Sequence, residues 1–154
     1  MGNLVQARAP QHIAAVRELF LEYARAVDEP RCFPDFQHEL DALPGEFRPP
    51  GGRLLLALEG DAAAGCVAVR RLDPERAEMK RLYVRPAWRG RGLGCDLARA
   101  AIGAARELGC SRLLLDSLPA MVPAIALYRT LGFRETAPYL ARPTPGALCF
   151  ELTL

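Results

Sequence analysis

The hydrophobic pattern changes period several times along the chain, and each change marks an element. Residues 4–9 alternate apolar and polar and predict a first strand. From Pro10 to about residue 27 the period is helical. Ile13, Val16, Phe20, Tyr23 and Val27 share one face, with Arg17, Glu18 and Arg25 opposite. A short helix over 35–43 would turn Phe36, Leu40 and Leu43 inward. Apolar runs at 53–58 and 65–72 predict a hairpin across Glu59-Gly60-Asp61. Asp73-Pro74-Glu75-Arg76 turns the chain into a strand over 77–84, bounded by Pro86, which cannot extend a ladder. Leu93, Leu97, Ala101, Ala105 and Leu108 then recur at helical steps, and Gly109 supplies the stop. The continuous apolar run at 111–117 suits a buried strand. Strand–helix–strand implies parallel pairing through a right-handed crossover. Pro119 and Pro123 open a last helix to about residue 131, closed by Gly132. Residues 133–140 and 147–154 read as a final antiparallel pair. The predicted order is β-α-α-β-β-β-α-β-α-β-β, a mixed α/β arrangement in one domain spanning 1–154, large enough for a sizeable core.

One turn in this pattern carries chemistry. Arg89-Gly90-Arg91-Gly92-Leu93-Gly94 lies between the strand at 77–84 and its helix. Glycine lets a ligand approach the backbone, and the first helical turn offers free N–H groups at the positive end of a dipole. Such a place suits phosphate. Lys80, Arg81, Arg85, Arg89 and Arg91 lie nearby with no acid between them. A Walker loop is excluded, because no Lys-Ser/Thr follows the glycines. A Rossmann turn fits poorly: the third glycine comes one residue early, and residues 85–89 separate it from the strand. Asp116 would be that reading's ribose-binding acid.

Composition adds exclusions. The net charge of +2 is too near balance for a nucleic-acid binder. No apolar run approaches a membrane span. The N-terminal stretch lacks a secretory h-region, and the acylation pattern begun by Gly2 fails at Gln6. Cys32, Cys66, Cys95, Cys110 and Cys149 are odd in number and lack C-x-x-C spacing, which argues against disulfides and a metal site. Cys66, Cys110 and Cys149 read as small core residues. A reducing cytoplasm is the expected compartment. His12 and His38 read as surface residues.

The turn resembles the acetyl-CoA loop of the GNAT (GCN5-related) N-acetyltransferases. Their pattern Arg/Gln-x-x-Gly-x-Gly/Ala is matched by Arg89, Gly92 and Gly94. Downstream, Ala124-Ile125-Ala126-Leu127-Tyr128-Arg129-Thr130-Leu131-Gly132-Phe133 is similar to the family's A-I-x-L-Y-x-x-L-G-F. Upstream, Leu82-Tyr83-Val84-Arg85-Pro86 looks like its central strand. The three motifs stand in family order between Glu78 and Phe133. One departure is Met121, where the family often carries an Asn that helps hold the cofactor.

The resemblance implies a mostly antiparallel sheet, with a parallel, splayed junction at the central strands and flanking helices. It implies direct transfer of an acetyl group from acetyl-CoA to a primary amine, without a metal. The backbone of Arg89, Gly90, Arg91, Gly92, Leu93 and Gly94 would hold the pyrophosphate. Leu82, Tyr83 and Val84 would pair with the pantetheine arm, with the Val84 N–H facing the thioester oxygen. Tyr128 would protonate the departing thiolate. Glu78 would take the amine's proton, directly or through water. Strict alternation would put Glu78, Lys80, Leu82 and Val84 on one face. Asp116 ends a strand and could serve either proton-transfer role, though a structural hydrogen bond is the expectation. The acceptor would be a small-molecule or peptide amine. Six acids against two arginines over 28–50 suggest a cationic one, drawn to an acidic wall. A noncatalytic acyl-CoA-binding module is the rival reading. The sequence does not choose between a monomer and the homodimer many relatives form.

Overall fold

The computed structural model describes residues 3–154; Met1 and Gly2, with the failed acylation pattern, lie outside it. The elements follow the predicted order: β1 (Asn3–Gln6), α1 (Pro10–Val27), α2 (Phe36–Ala42), β2 (Gly52–Glu59), β3 (Ala62–Arg71), β4 (Arg76–Val84), α3 (Leu93–Glu107), β5 (Arg112–Ser117), α4 (Val122–Thr130), β6 (Arg134–Thr136) and β7 (Leu148–Thr153). Seven strands form one sheet in the order β1-β2-β3-β4-β5-β7-β6. All neighbours are antiparallel except β4 and β5, which are parallel. This is the mixed, mostly antiparallel α/β architecture the motifs imply.

Two boundaries differ from expectation for local reasons. The strand expected over 133–140 shrinks to β6, because Pro138 has no N–H for a ladder. Helix α4 opens at Val122 with Pro123 in its first turn, whereas Pro119 belongs to the preceding turn, closed by Met121 N–H to Leu118 O at 2.9 Å.

Both sheet faces are covered, as a sheet buried on two sides requires. On one face α3 lays Leu97, Ala98, Ala101 and Ala105 against Val67, Val69, Ala77, Met79, Leu113 and Leu115. The alanines on that stripe let the helix sit close to the strands. On the other face Val16, Leu19 and Phe20 of α1 pack with Leu40, Phe47, Leu54, Leu56, Cys66 and Tyr83. Alternation in β2 serves both layers, Leu54 and Leu56 on one and Ala57 on the other. Cys66, Cys110 and Cys149 are buried, as expected of small core residues.

Strand β4 breaks its own alternation. The β3–β4 register runs from Ala68 opposite Lys80 to Cys66 opposite Tyr83, so Val67 faces two residues, Arg81 and Leu82. Arg81 takes the left-handed conformation at φ 59°. This is a bulge, which adds a residue and sharpens the local twist. The extra residue reverses the parity of everything after it. Ala77 and Met79 face α3, and beyond the bulge so do Leu82 and Val84. The expectation that Glu78, Lys80, Leu82 and Val84 share a face is therefore corrected: Glu78 and Lys80 face the α1 side.

The bulge lies just beyond the place where the sheet opens. Parallel pairing of β4 with β5 covers only Arg76–Glu78 against Arg112–Leu114. Past those pairs β4 stays on β3 while β5 stays on β7 through Ser117. The two strands diverge into a slot through the sheet.

The bulged segment tolerates no bulk from β3. A Cβ added to Gly65 would stand 2.6 Å from Tyr83 O and 3.1 Å from Leu97 Cδ1. Gly65→Ala should therefore cost about 1–3 kcal/mol, the scale of overpacking, read as a lower urea midpoint at unchanged slope. An unchanged midpoint would mean that β4 yields freely at Val84.

Candidate active site

The glycine turn opens α3 beside the end of β4: a Cβ on Gly94 would stand 3.9 Å from Val84 Cγ2 and from Leu127 Cδ2 of α4. Gly90 and Gly92 take φ of 78° and 81°, a conformation costly for residues with a Cβ. Gly92 caps α3 without a side-chain hydrogen bond, and the first backbone bond closing the helix runs from Asp96 N–H to Gly92 O at 3.0 Å. The N–H groups of Leu93, Gly94 and Cys95 thus precede the helical ladder and face outward along the dipole. Leu93 itself is buried and pins the turn to the core. Arg91 is exposed. Arg89 folds back: its Nε donates to Val84 O at 2.9 Å, and its guanidinium lies 5.7 Å from the Tyr83 ring centre.

Backbone polarity at the end of β4 follows from one bond. Arg85 N–H donates to Ala64 O of β3 at 2.8 Å. Alternation then turns the Val84 N–H and C=O away from β3, toward the edge that β5 has left. Arg89 occupies that carbonyl, and the N–H remains on the slot side.

The slot is narrow, a cavity of about 40 Å³. Met79, Leu82, Leu115, Met121 and Tyr128 line it, as do Tyr23, Phe33, Lys80 and Asp116 from the α1 side. Tyr128 is buried, with its ring 5.8 Å from Phe133 and 6.4 Å from Phe150. Its hydroxyl has no hydrogen-bond partner among the described residues. Burial pushes the phenol's pKa up, so it keeps its proton at neutral pH. Met121 occupies the family's Asn position; its sulfur accepts the Ser117 hydroxyl at 3.3 Å, where an Asn would have presented an amide.

A second, larger cavity of about 590 Å³ opens on the α1 side and shares Cys32, Lys80, Arg81, Asp116 and Thr144 with the slot. Its far wall is the 28–50 segment. Two of that segment's six acids are paired with arginines of the sheet. Arg81 holds both oxygens of Glu39 at 2.9 Å and lies 4.5 Å from the Phe33 ring centre. Arg70 bonds Glu46 at 2.9 Å and Glu78 at 2.7 Å. The cavity wall carries five carboxylates (Asp35, Glu39, Glu46, Glu78, Asp116) and five cations (Arg31, Arg70, Lys80, Arg81, Arg142). An acidic wall that selects cations is thereby corrected to a charge-compensated one.

Glu78 sits on the floor of this cavity, 1% exposed. Its Oε1 accepts from Arg70 Nε at 2.7 Å, and its Oε2 accepts the Tyr139 hydroxyl at 2.6 Å. Both oxygens are occupied, so no lone carboxylate faces an incoming amine there. Burial, then the Glu78 charge, raises the Tyr139 pKa and keeps its proton in place. Lys80 makes no ion pair among the described residues, and burial lowers its pKa. Of the two histidines, His38 is exposed on the cavity rim and His12 is half-buried at the start of α1.

The structure thus sets Leu82 and Tyr128 in the lining of one slot, places the glycine turn beside Val84 and Leu127 outside that lining, and sets Glu78 on the far side of the sheet. Sequence reasoning missed Arg70, Glu39 and Tyr139. Their partners lie 8, 42 and 61 residues away, and no local pattern announces such pairs. Among the described residues no cluster of potential ligands could hold a metal ion, and no helix is long and apolar enough to cross a membrane.

Residues 13–133 match the family model described as Acetyltransferase (GNAT) family. An uncharacterized N-acetyltransferase of Schizosaccharomyces pombe is 36% identical over 99% of this chain and 94% of its own length. An acetyltransferase crystal structure from Streptococcus agalactiae superposes with a TM-score of 0.83 over 99% of this chain and 98% of its own, at 20% identity. A structure from Salmonella typhimurium, described with its cofactor acetyl-CoA, superposes at 0.76 over 99% of this chain and 93% of its own, at 20% identity.

The compensated wall makes a stability prediction. The Arg81 and Glu39 side chains are 5% and 15% exposed. Glu39→Gln strands the Arg81 cation and should cost roughly 3 kcal/mol, as breaking a buried pair does. Glu46→Gln, at a carboxylate 51% exposed, should cost under about 1 kcal/mol. Equal urea midpoints for the two variants would show that burial does not set the strength of these pairs.

Proposed function

Because the chain belongs to the Acetyltransferase (GNAT) family, we propose that it transfers an acetyl group from acetyl-CoA to a primary amine by direct attack. The observation that carries the reading is the slot. Buried Tyr128 lines it where β4 and β5 part, and the start of α3 stands next to the open strand edge at Val84 and next to α4.

In this reading the pyrophosphate lies on the N–H groups of Arg89, Gly90, Arg91, Gly92, Leu93 and Gly94, with Arg91 as its charge partner. The pantetheine arm, itself an amide chain, pairs with Leu82, Tyr83 and Val84 as an added strand. It fills the place β5 has vacated. The Val84 N–H meets the thioester oxygen as it becomes negative. The amine enters from the α1 side, through the large cavity. Its nitrogen attacks the carbonyl carbon, the C–S bond breaks, and Tyr128 gives the thiolate its proton. Glu78 serves the amine's deprotonation at one remove, by holding Tyr139 and Arg70 in the cavity wall. The even charge of that wall suits small-molecule and peptide amines without favouring cations. Acetyl-CoA is a cosubstrate here, and no metal is involved.

The direct test is thiol release from acetyl-CoA across a panel of alkylamines, amino acids and N-terminal peptides, with a no-acceptor control. Binding without thiol release above that control would replace the enzyme with an acyl-CoA-binding module.

Two variants separate binding from chemistry. A Cβ on Gly94 would meet only ordinary contacts at 3.9 Å, and its φ is not left-handed, so the backbone accepts a side chain. Gly94→Glu places a carboxylate at the phosphate site. Loss of about two charged hydrogen bonds, near 3 kcal/mol, should weaken acetyl-CoA binding about 100-fold at an unchanged melting temperature. An unchanged calorimetric affinity would place the pyrophosphate elsewhere. Tyr128→Phe should leave affinity intact and slow the chemical step by roughly 10²–10³-fold. Product release can hide such a loss, so it must be read in single turnover with enzyme in excess. A wild-type rate there would make Tyr128 a packing residue of α4.

A further inference from the structure

The acetyltransferase reading leaves the first proton acceptor open, since both Glu78 oxygens already accept a hydrogen bond from the protein and the group is 1% exposed. Asp116, on β5, is the carboxylate that lines both the slot and the acceptor cavity; among the described residues no other does. The other acids of the cavity are spoken for or remote from the slot. Glu39 is held by Arg81, Glu46 and Glu78 by Arg70, and Asp35 is exposed at the rim. Asp116 makes no ion pair among the described residues. Its neighbour Leu115 is buried in the α3 layer, and alternation turns Asp116 to the opposite face, where Glu78 and Lys80 lie. It therefore stands beside the path by which an amine reaches the thioester.

We propose that Asp116 is the catalytic base, taking the proton of the incoming ammonium at the junction of the two cavities, while Glu78 is a positioning residue. The balance is complete. The ammonium gives one proton to the Asp116 carboxylate and becomes a neutral amine. The amine nitrogen forms the new C–N bond and the C–S bond breaks. The thiolate takes the Tyr128 proton, and the tyrosinate recovers one from the acylated nitrogen. Asp116 returns its proton to solvent through the open cavity.

The surroundings suit a base. Burial raises the Asp116 pKa, and the Glu78 charge raises it further; Lys80, Arg81 and a hydrogen bond from Thr144 oppose this. The other titratable groups that feel its charge are Tyr23 of α1, Cys32, Tyr128 of α4, Tyr139 and Cys149 of β7. A raised carboxylate accepts a proton from an ammonium more readily than an ordinary one. It must be ionised to act, so kcat/KM should rise with pH through its pKa.

The test compares Asp116→Asn with wild type, using the fastest alkylamine of the panel and its β,β,β-trifluorinated counterpart, whose amine is largely neutral at pH 7. With the alkylamine the variant should lose about 10²-fold in kcat/KM, the scale of general-base catalysis, and lose the acidic limb of the pH profile. With the fluorinated amine, which needs no deprotonation, it should return to within about threefold of wild type. An equal deficit with both amines, or an intact acidic limb, would overturn the proposal. If Asp116→Asn fails to bind acetyl-CoA, Lys80→Met decides. Removing the cation that lines both cavities with Asp116 and favours its charged form must move the acidic limb to higher pH, and an unmoved limb overturns the assignment. A wild type that acetylates no amine removes the acetyltransferase reading and this proposal with it. An active wild type with an Asp116-independent profile removes this proposal alone.

Discussion

The parting of β4 and β5 is the constraint on which the rest of the molecule depends. A parallel pair ordinarily continues until one strand ends, because every lost ladder bond leaves buried polar groups to satisfy. Here the ladder stops after three residues on each strand, with six more of β4 and three more of β5 still to run. The bulge at Arg81 makes this sustainable. It twists β4 onto β3 and reverses its faces, so that Leu82 and Val84 feed the α3 core while Tyr83 feeds the α1 core. The exposed edge becomes a place for another extended amide chain. The pantetheine arm of an acyl-CoA has that form.

The bulge is itself held by charge and aromatic packing. Arg81 is buried and in a left-handed conformation, two unfavourable circumstances for a long cation. They are offset by a two-pronged pair with Glu39, by the Cys32 carbonyl at 3.5 Å, and by the Phe33 and Phe36 rings. Those partners all belong to the segment between α1 and β2. The same residue that shapes the slot therefore also draws in the wall of the acceptor cavity. Glu22 of α1 adds a second clamp at the end of β4. It grips Arg85 at 2.7 Å and accepts the Tyr83 hydroxyl at 3.3 Å. The Arg85 hydrogen bond holds the Glu22 pKa below its ordinary value, so this clamp is complete above the usual carboxylate pKa and weakens as pH falls through the lowered one.

Charge in the acceptor cavity is spent mainly on construction. The arginines and acids pair with each other across elements, leaving Lys80 and Asp116 as the inner charges without an ion-pair partner. Burial weakens the charged form of both, which is the usual condition of groups kept for chemistry.

The sequence by itself determined the element order, the glycine turn, the core cysteines and the place of Tyr128 on a helix. Each of these is written in short-range terms: a period of two or 3.6, a glycine where φ must be positive, a motif of a few adjacent residues. It did not determine which face of β4 carries Glu78, because a one-residue bulge inverts parity without altering composition. Nor did it reveal that Glu78 is held by Arg70 and Tyr139, or that Glu39 and Glu46 of the 28–50 segment pair with Arg81 and Arg70. Those outcomes depend on side chains brought together from up to 61 residues apart. Only the tertiary structure decided them, because a buried carboxylate must find its donors in space and the chain order places no constraint on where they come from.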